Sequence, residues 1–281
     1  MKPVSKTPSR RQRGFTLVEL IMVIVLMGVI AGIMSVFIKG PIDAYFSSGR
    51  RAALTDVADT TVRRIARDLH RALPNSVRSN ATCAKSLEFV ATKTGGRYRA
   101  DGANALTFSG QVSSFNLLGS STTFAGTSLP VEQAIAPGDL VVVYNLGIAG
   151  ADAYAGDNTS PITSVGAVVA GETPIGIAAK KFPLASGSNR FHVVPANEQI
   201  VTYVCNANTL YRNATNTMVA PVSCTAGSII ATNVNCAATS FTFTPTDLQR
   251  NAIVTMVLSI QDSTATETVN LHHEVHVDNT P

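Results

Sequence analysis

The chain lacks the short motifs that mark the commonest enzymatic chemistries. It has no G-x-S-x-G elbow to raise a serine above a sheet. It has no G-x-x-x-x-G-K-[ST] loop for a triphosphate and no G-x-G-x-x-G for a dinucleotide. None of its cysteines forms a C-x-x-C pair, so the usual zinc spacing is missing too. Charge is sparse at 14% of residues. An excess of one sign is only superficial. The whole chain is formally +4, but Lys2, Lys6, Arg10, Arg11 and Arg13 all fall in residues 1–14, where there is no acid. The remainder carries seventeen basic and eighteen acidic residues, a net of −1. No nucleic-acid partner follows from that balance, and none is expected. Ser, Asp and His are present without any constellation that reads as catalytic, so we expect no enzymatic activity and no cofactor. No internal repeat is evident.

What the chain does have is Arg10 to Ile38, RRQRGFTLVELIMVIVLMGVIAGIMSVFI. Phe15 to Ile38 is almost unbroken apolar sequence with one acid, Glu19. At ~1.5 Å per residue it spans roughly 36 Å as a helix, enough for a hydrocarbon core of ~30 Å. A carboxylate at the centre of such a helix costs ~2.5–3.5 kcal/mol on insertion scales. Glu19 sits one turn from the start, where the cost is smaller, yet it still requires a reason. A secretory signal would have an apolar core of about 7–15 residues before a small-residue cleavage site. This run is longer and contains an acid, which also counts against twin-arginine export through Arg10-Arg11. An uncleaved anchor explains the length but not Gly14-Phe15 or Glu19. A soluble core helix would not need such continuous apolarity.

Gly14-Phe15-Thr16-Leu17-Val18-Glu19-Leu20 resembles the prepilin cleavage site of type IV pilins and type II secretion pseudopilins. The resemblance implies cleavage between Gly14 and Phe15 by a prepilin peptidase and N-methylation of Phe15. It gives Glu19 a role in assembly. The basic residues Arg10, Arg11 and Arg13 would stay in the cytoplasm, with the rest of the chain across the membrane. The partners implied are the peptidase, other major and minor pilins, the assembly platform of the inner membrane, and membrane lipid before assembly.

Beyond the run, Lys39-Gly40-Pro41 predicts a kink or break, because proline removes a donor and clashes with the preceding turn. Helical spacing resumes through Leu54, Val57, Ala58, Thr61, Ile65, Leu69 and Leu73, and Pro74-Asn75-Ser76 is expected to end it. Arg63, Arg64, Arg67 and Arg71 take the other side, which reads as a solvated face, with a subunit contact as the alternative. Strands are expected at Ser86 to Ala91, Ala105 to Phe108, Asp139 to Leu146, Arg190 to Val194, Gln199 to Cys205 and Ser240 to Thr244. Cys205 to Tyr211 reads as a turn into a partner strand, and Ala252 to Ile260 with Glu267 to Val277 as a hairpin. Residues 101–132 and 147–171, rich in Ser, Thr, Gly and Ala, read as long surface loops or an inserted lobe, and as candidates for specific contact. The fold class is therefore α+β, with a long N-terminal helix under a mainly antiparallel sheet. The expected divisions are a leader at 1–14, a membrane or filament-core helix at 15–38, its amphipathic half at 39–73 and a β-rich head at 74–281.

Cys83, Cys205, Cys224 and Cys236 are even in number and lie beyond the membrane on this reading, which favours two disulfides. Three pairings are possible; Cys205–Cys224 would close a local loop and is weakly preferred. His272, Glu274 and His276 share one face of a C-terminal strand. They could hold a metal, but a polar solvent face is the favoured reading, and no metal site is assigned.

Finer similarity lies in Gly40-Pro41-Ile42, Arg50-Arg51-Ala52, Leu54-Thr55-Asp56, Arg63 to Leu69, Ala72 to Arg78 and Val275 to Asn279. These segments resemble a minor pilin-like biogenesis subunit of the mannose-sensitive haemagglutinin (MSHA) type of pilus. The resemblance implies a role in starting assembly or at the filament tip, and in surface attachment. A minor pseudopilin of a type II secretion system and a ligand-binding tip subunit are the alternatives.

Overall fold

The computed structural model describes residues 14–79, 83–124, 126–218, 224–225, 227–244, 252–263 and 266–281. The chain divides into two compact units, 1–52 and 53–281. Helix α1 runs from Leu17 to Leu69. In the first unit, every side chain from Phe15 to Ile38 is exposed. This is a helix long and apolar enough to cross a membrane, with none of its most apolar window buried. Pro41 lies inside α1, and the helix is not broken there. The ring forfeits one backbone bond, and the intact turns on either side carry the helix past it.

In the second unit, α1 buries Ala58, Thr61, Val62, Ile65 and Leu69. This is the expected stripe, with Val62 added and Val57 left 43% exposed. The helix ends at Leu69, short of Pro74. The reason is competition from the sheet. Arg71 and Ala72 make tight bonds to the carbonyls of Asp68 and Leu69, and the Leu73 N–H then leaves the helix to donate to the Val90 carbonyl at 2.8 Å.

Fifteen strands follow among the described residues. The first is β1 (Ser86–Val90). Next come β2 (Thr94–Arg97), β3 (Val112–Leu118), β4 (Thr123–Phe124), β5 (Thr127–Ser128), β6 (Leu140–Val142), β7 (Thr159–Val165), β8 (Glu172–Lys180) and β9 (Arg190–Val194). The last six are β10 (Ile200–Asn206), β11 (Thr209–Thr215), β12 (Ser228–Thr232), β13 (Ser240–Thr244), β14 (Ala252–Gln261) and β15 (Thr268–Val277). Their order is β1-β10-β11-β12 in one sheet, β13-β14-β15 in a second, β2-β9-β6-β7-β8-β3 in a third, and the ribbon β4-β5. Every pair is antiparallel. Helix α1 and the first two sheets share one core, built from Val62, Ile65, Phe89, Tyr203, Met256 and Val275 among others. This is the α+β architecture expected.

β1 pairs with β10, so residues 91–199 form an insertion between two hydrogen-bonded neighbours. That insertion is a lobe with its own core of Tyr98, Phe115, Val141, Ile175, Phe182 and Phe191. The Phe115 and Phe191 rings meet edge-on with centroids 5.3 Å apart. Several strand expectations change here. Residues 101–132 contain β3, and 147–171 contain all of β7, so neither is structureless. Ala105 to Phe108 is not a strand; Leu106 is buried and its N–H bonds the Arg99 carbonyl. β6 stops at Val142, ahead of Tyr144, which takes a left-handed φ of 52°.

The disulfides are Cys83–Cys224 and Cys205–Cys236, with Cα atoms 5.5 and 5.4 Å apart. The preferred Cys205–Cys224 pairing is therefore replaced. Closing a local loop does not choose the partner, because the sheet does. Val234 lies next to Ile260 in an isolated bridge, and the Asn235 N–H donates to the Ser259 carbonyl at 2.8 Å. These contacts set Cys236 beside the end of β10, while Cys224 falls against the entry to β1.

Candidate assembly site at the helix N-terminus

The site begins with two residues that their own unit does not explain. No heavy atom comes within 4 Å of a Cβ built on Gly14, so packing places no demand for glycine there. Phe15 is 84% exposed. Thr16 is the N-cap of α1. Its Oγ1 accepts the Glu19 N–H at 3.2 Å, and its carbonyl accepts the Leu20 N–H at 3.2 Å. This satisfies donors that a helix start leaves orphaned. Thr16 and Glu19 thus stand in the T-x-x-E spacing of a capping box, a signal that the sequence reading passed over. Glu19 also lies where the positive end of the helix dipole favours an acid. Its carboxylate is nonetheless exposed and has no hydrogen-bond or ion-pair partner among the described residues.

A second unread feature is Gly28 and Gly32. They lie four residues apart, hence on one face of the apolar helix, and neither Cβ would meet an atom within 4 Å. Such spacing lets apolar helices approach closely. Arg10, Arg11 and Arg13 lie outside the described residues.

The second unit carries its polar groups in structural pairs. Arg78 donates to Glu88, which is 1% exposed, and its guanidinium carbon lies 3.3 Å from the Tyr154 ring centroid. Lys93 and Asp139 form a buried pair at 2.5 Å. Arg99 and Asn116 both donate to Glu172 and hold its carboxyl below the usual carboxylate range. Near the helix end, Arg212 bridges Asp68 and Glu198. Arg63, Arg64, Arg67 and Arg71 are exposed; Arg63 pairs with Asp59 one turn away. His272, Glu274 and His276 lie together on the exposed face of β15. No group of three or more metal-ligating side chains comes together among the described residues.

The lobe holds a cavity of about 720 Å³ beside β2 and the end of β3. Thr94, Gly95, Leu117, Ser121, Gln133 and Ile135 are among its walls, and none of its lining residues is charged. Gly96 is required by close packing there, since a Cβ would overlap the Leu117 side chain.

Residues 9–35 match the model of the prokaryotic N-terminal methylation motif. No curated protein and no solved structure matches the chain. The motif and the single apolar helix fit a type IV pilin-like protein, processed by prepilin peptidase and anchored in the inner membrane by one span.

Proposed function

We propose that this chain is a minor pilin-like subunit that takes part in assembly, at the priming or tip stage, of an MSHA-like type IV pilus used in surface attachment. The observation that supports it is the pairing of an uncovered apolar helix with a partnerless acid in its first turn. In lipid, acyl chains cover the helix; in a filament, neighbouring helices do. Glu19 then becomes the partner of a neighbouring subunit's new amino terminus. In a medium of low dielectric an unpaired charge is costly, so the pair penalises misregister. The head lies outside the cytoplasm, where its two disulfides persist. The chain is the peptidase's substrate and not itself an enzyme.

A ligand-binding tip subunit is favoured by one observation, the uncharged lobe cavity, whose volume falls in the range of ~300–1,000 Å³ typical of ligand sites. A minor pseudopilin of a type II secretion system shares the same N-terminal chemistry, and only the filament in which the protein is found separates the two.

The test is the N-terminal sequence and intact mass of the protein from native membranes or sheared filaments. A start at N-methylated Phe15 is the expected result. A start at Met1, or downstream of Ile38, overturns the assignment.

A further inference from the structure

The free edge of β15 is complementary to itself. In β14 the odd-numbered residues turn their backbone groups away from β15: the Ser259 N–H donates to Thr239 Oγ1, the Ser259 carbonyl accepts from Asn235, and the Gln261 N–H donates to Asn233. The even-numbered residues of β14 therefore bond to β15, and the register pairs them with Val269, Leu271, His273, Val275 and Val277. It follows that Asn270, His272, Glu274 and His276 direct their N–H and C=O groups outward. β15 has β14 as its one neighbour in the sheet, and no described residue outside that sheet donates to or accepts from this edge. An edge of ten residues with a row of unpaired donors and acceptors is a template for another strand.

The side chains specify which strand. Asn270, His272, Glu274 and His276 are all exposed on the same face. When two copies of β15 are laid antiparallel so that Val269 to Val277 overlap and the outward-facing residues meet, the two-fold axis passes through position 273. Each Glu274 then lies opposite His272 of the second copy, and each His276 lies opposite Asn270. Both Glu–His pairs join an imidazole N–H donor to a carboxylate, and the His–Asn pairs join donor to amide. Centring on Glu274 or on His272 instead would set like groups against each other. A two-fold contact uses one patch twice, so self-complementarity is its requirement.

We propose that β15 is the interface between two copies of this chain, which join their C-terminal sheets into one six-stranded antiparallel sheet with Glu274 facing His272 of the second copy. This does not rest on the filament assignment; it uses the head alone.

The experiment is sedimentation velocity of the full chain in density-matched detergent, with circular dichroism as the check on folding. His272→Glu sets acid against acid, and Glu274→His sets imidazole against imidazole. Each single change is expected to raise the dimer dissociation constant by about tenfold or more. The double variant His272→Glu/Glu274→His exchanges the two groups and is expected to return it to within about threefold of the parent. Asn270→Pro provides an independent reading. It removes one outward N–H, leaves the β14 ladder and the charges intact, and is tolerated on an edge; it too should raise the dissociation constant. A monomeric parent overturns the proposal, as does a dimer that none of these changes weakens. Rescue by His276→Glu/Glu274→His in place of the His272 pair overturns the register.

Discussion

Tyr203 on β10 donates its phenolic hydrogen to Asp68 on α1 at 2.7 Å, and Arg212 Nε donates to the same carboxylate oxygen at 2.7 Å. Burial, and next the Asp68 charge, hold the phenol well above its ordinary range, so it stays a donor throughout the physiological range. One half-buried carboxylate thus ties the last turns of the helix to two neighbouring strands. Tyr203→Phe removes one donor and leaves the ring in the core. A hydrogen bond to a charged group is worth ~1.5–3 kcal/mol, and the loss should appear as a lowered urea midpoint with an unchanged m-value. Arg212→Met should cost more, because it leaves Asp68 and Glu198 without their shared counter-charge. Equal stability of Tyr203→Phe and the parent would sink this account of the helix–sheet contact.

His192 on β9 carries a different prediction. Its Nε2 is buried without a hydrogen-bond partner among the described residues. Burial lowers the imidazole's pKa, Arg190 lowers it further, and Asp278 opposes both. The folded state therefore binds this proton less readily than the unfolded chain. The sign follows from linkage: stability is complete above the unfolded value of ~6.5 and falls as the pH drops below it toward the folded value. Denaturation midpoints should decline between pH 7.5 and pH 5.5, and His192→Gln should flatten that part of the profile. An undiminished slope in the variant would assign the decline to other groups.

The strands that sequence made legible are those whose side chains are bulky. Arg190 to Val194 and Ser240 to Thr244 appear at the expected bounds, and the hairpin at Cys205 to Tyr211 turns through Ala207 and Asn208, both left-handed. β2, whose sequence is Thr-Gly-Gly-Arg, gave no such signal. Its glycines are there because Phe191 and Leu117 fill the space their side chains would take. β3 hides in a Ser-rich stretch because Phe115 and Leu117, with a half-buried Val112, are its contribution to the lobe core. The disulfide pairing was illegible for another reason, since partners are brought together by sheet order and not by separation along the chain. At the helix N-terminus the methylation motif could be read directly, and the cap made by Thr16 was written in the same stretch.

The disulfides close loops of very different size, with separations of 141 residues for Cys83–Cys224 and 31 for Cys205–Cys236. On the chain-entropy model these are worth ~5 and ~4 kcal/mol. Cys205 and its bridge lie in the main core, so the double change Cys205→Ala/Cys236→Ala also loses packing and should lower the melting temperature at least as much as Cys83→Ala/Cys224→Ala. Non-reduced peptide mapping checks the connectivity first. Recovery of a Cys205–Cys224 peptide would contradict the pairing.

On the proposed function, changes at Gly14 and Glu19 should separate processing from assembly. Gly14→Leu meets no obstacle within the chain, since nothing lies within 4 Å of the added Cβ. Folding of the head should be unaffected, and any loss of cleavage reports the peptidase's demand for glycine. The expected product is full-length precursor with both disulfides formed; a mature chain starting at Phe15 would refute the assignment. Glu19→Val leaves the Thr16 cap to the Glu19 backbone, because the capping bond uses the N–H of position 19 and not its carboxylate. The helix therefore persists, and removing an acid from the apolar helix eases insertion in lipid. Cleavage and membrane anchoring should match the parent, while recovery of the subunit in sheared filaments should fall by tenfold or so, the factor that ~1.4 kcal/mol of lost docking energy would produce. Filament recovery equal to the parent would show that the acid's place in the first turn serves the helix dipole alone.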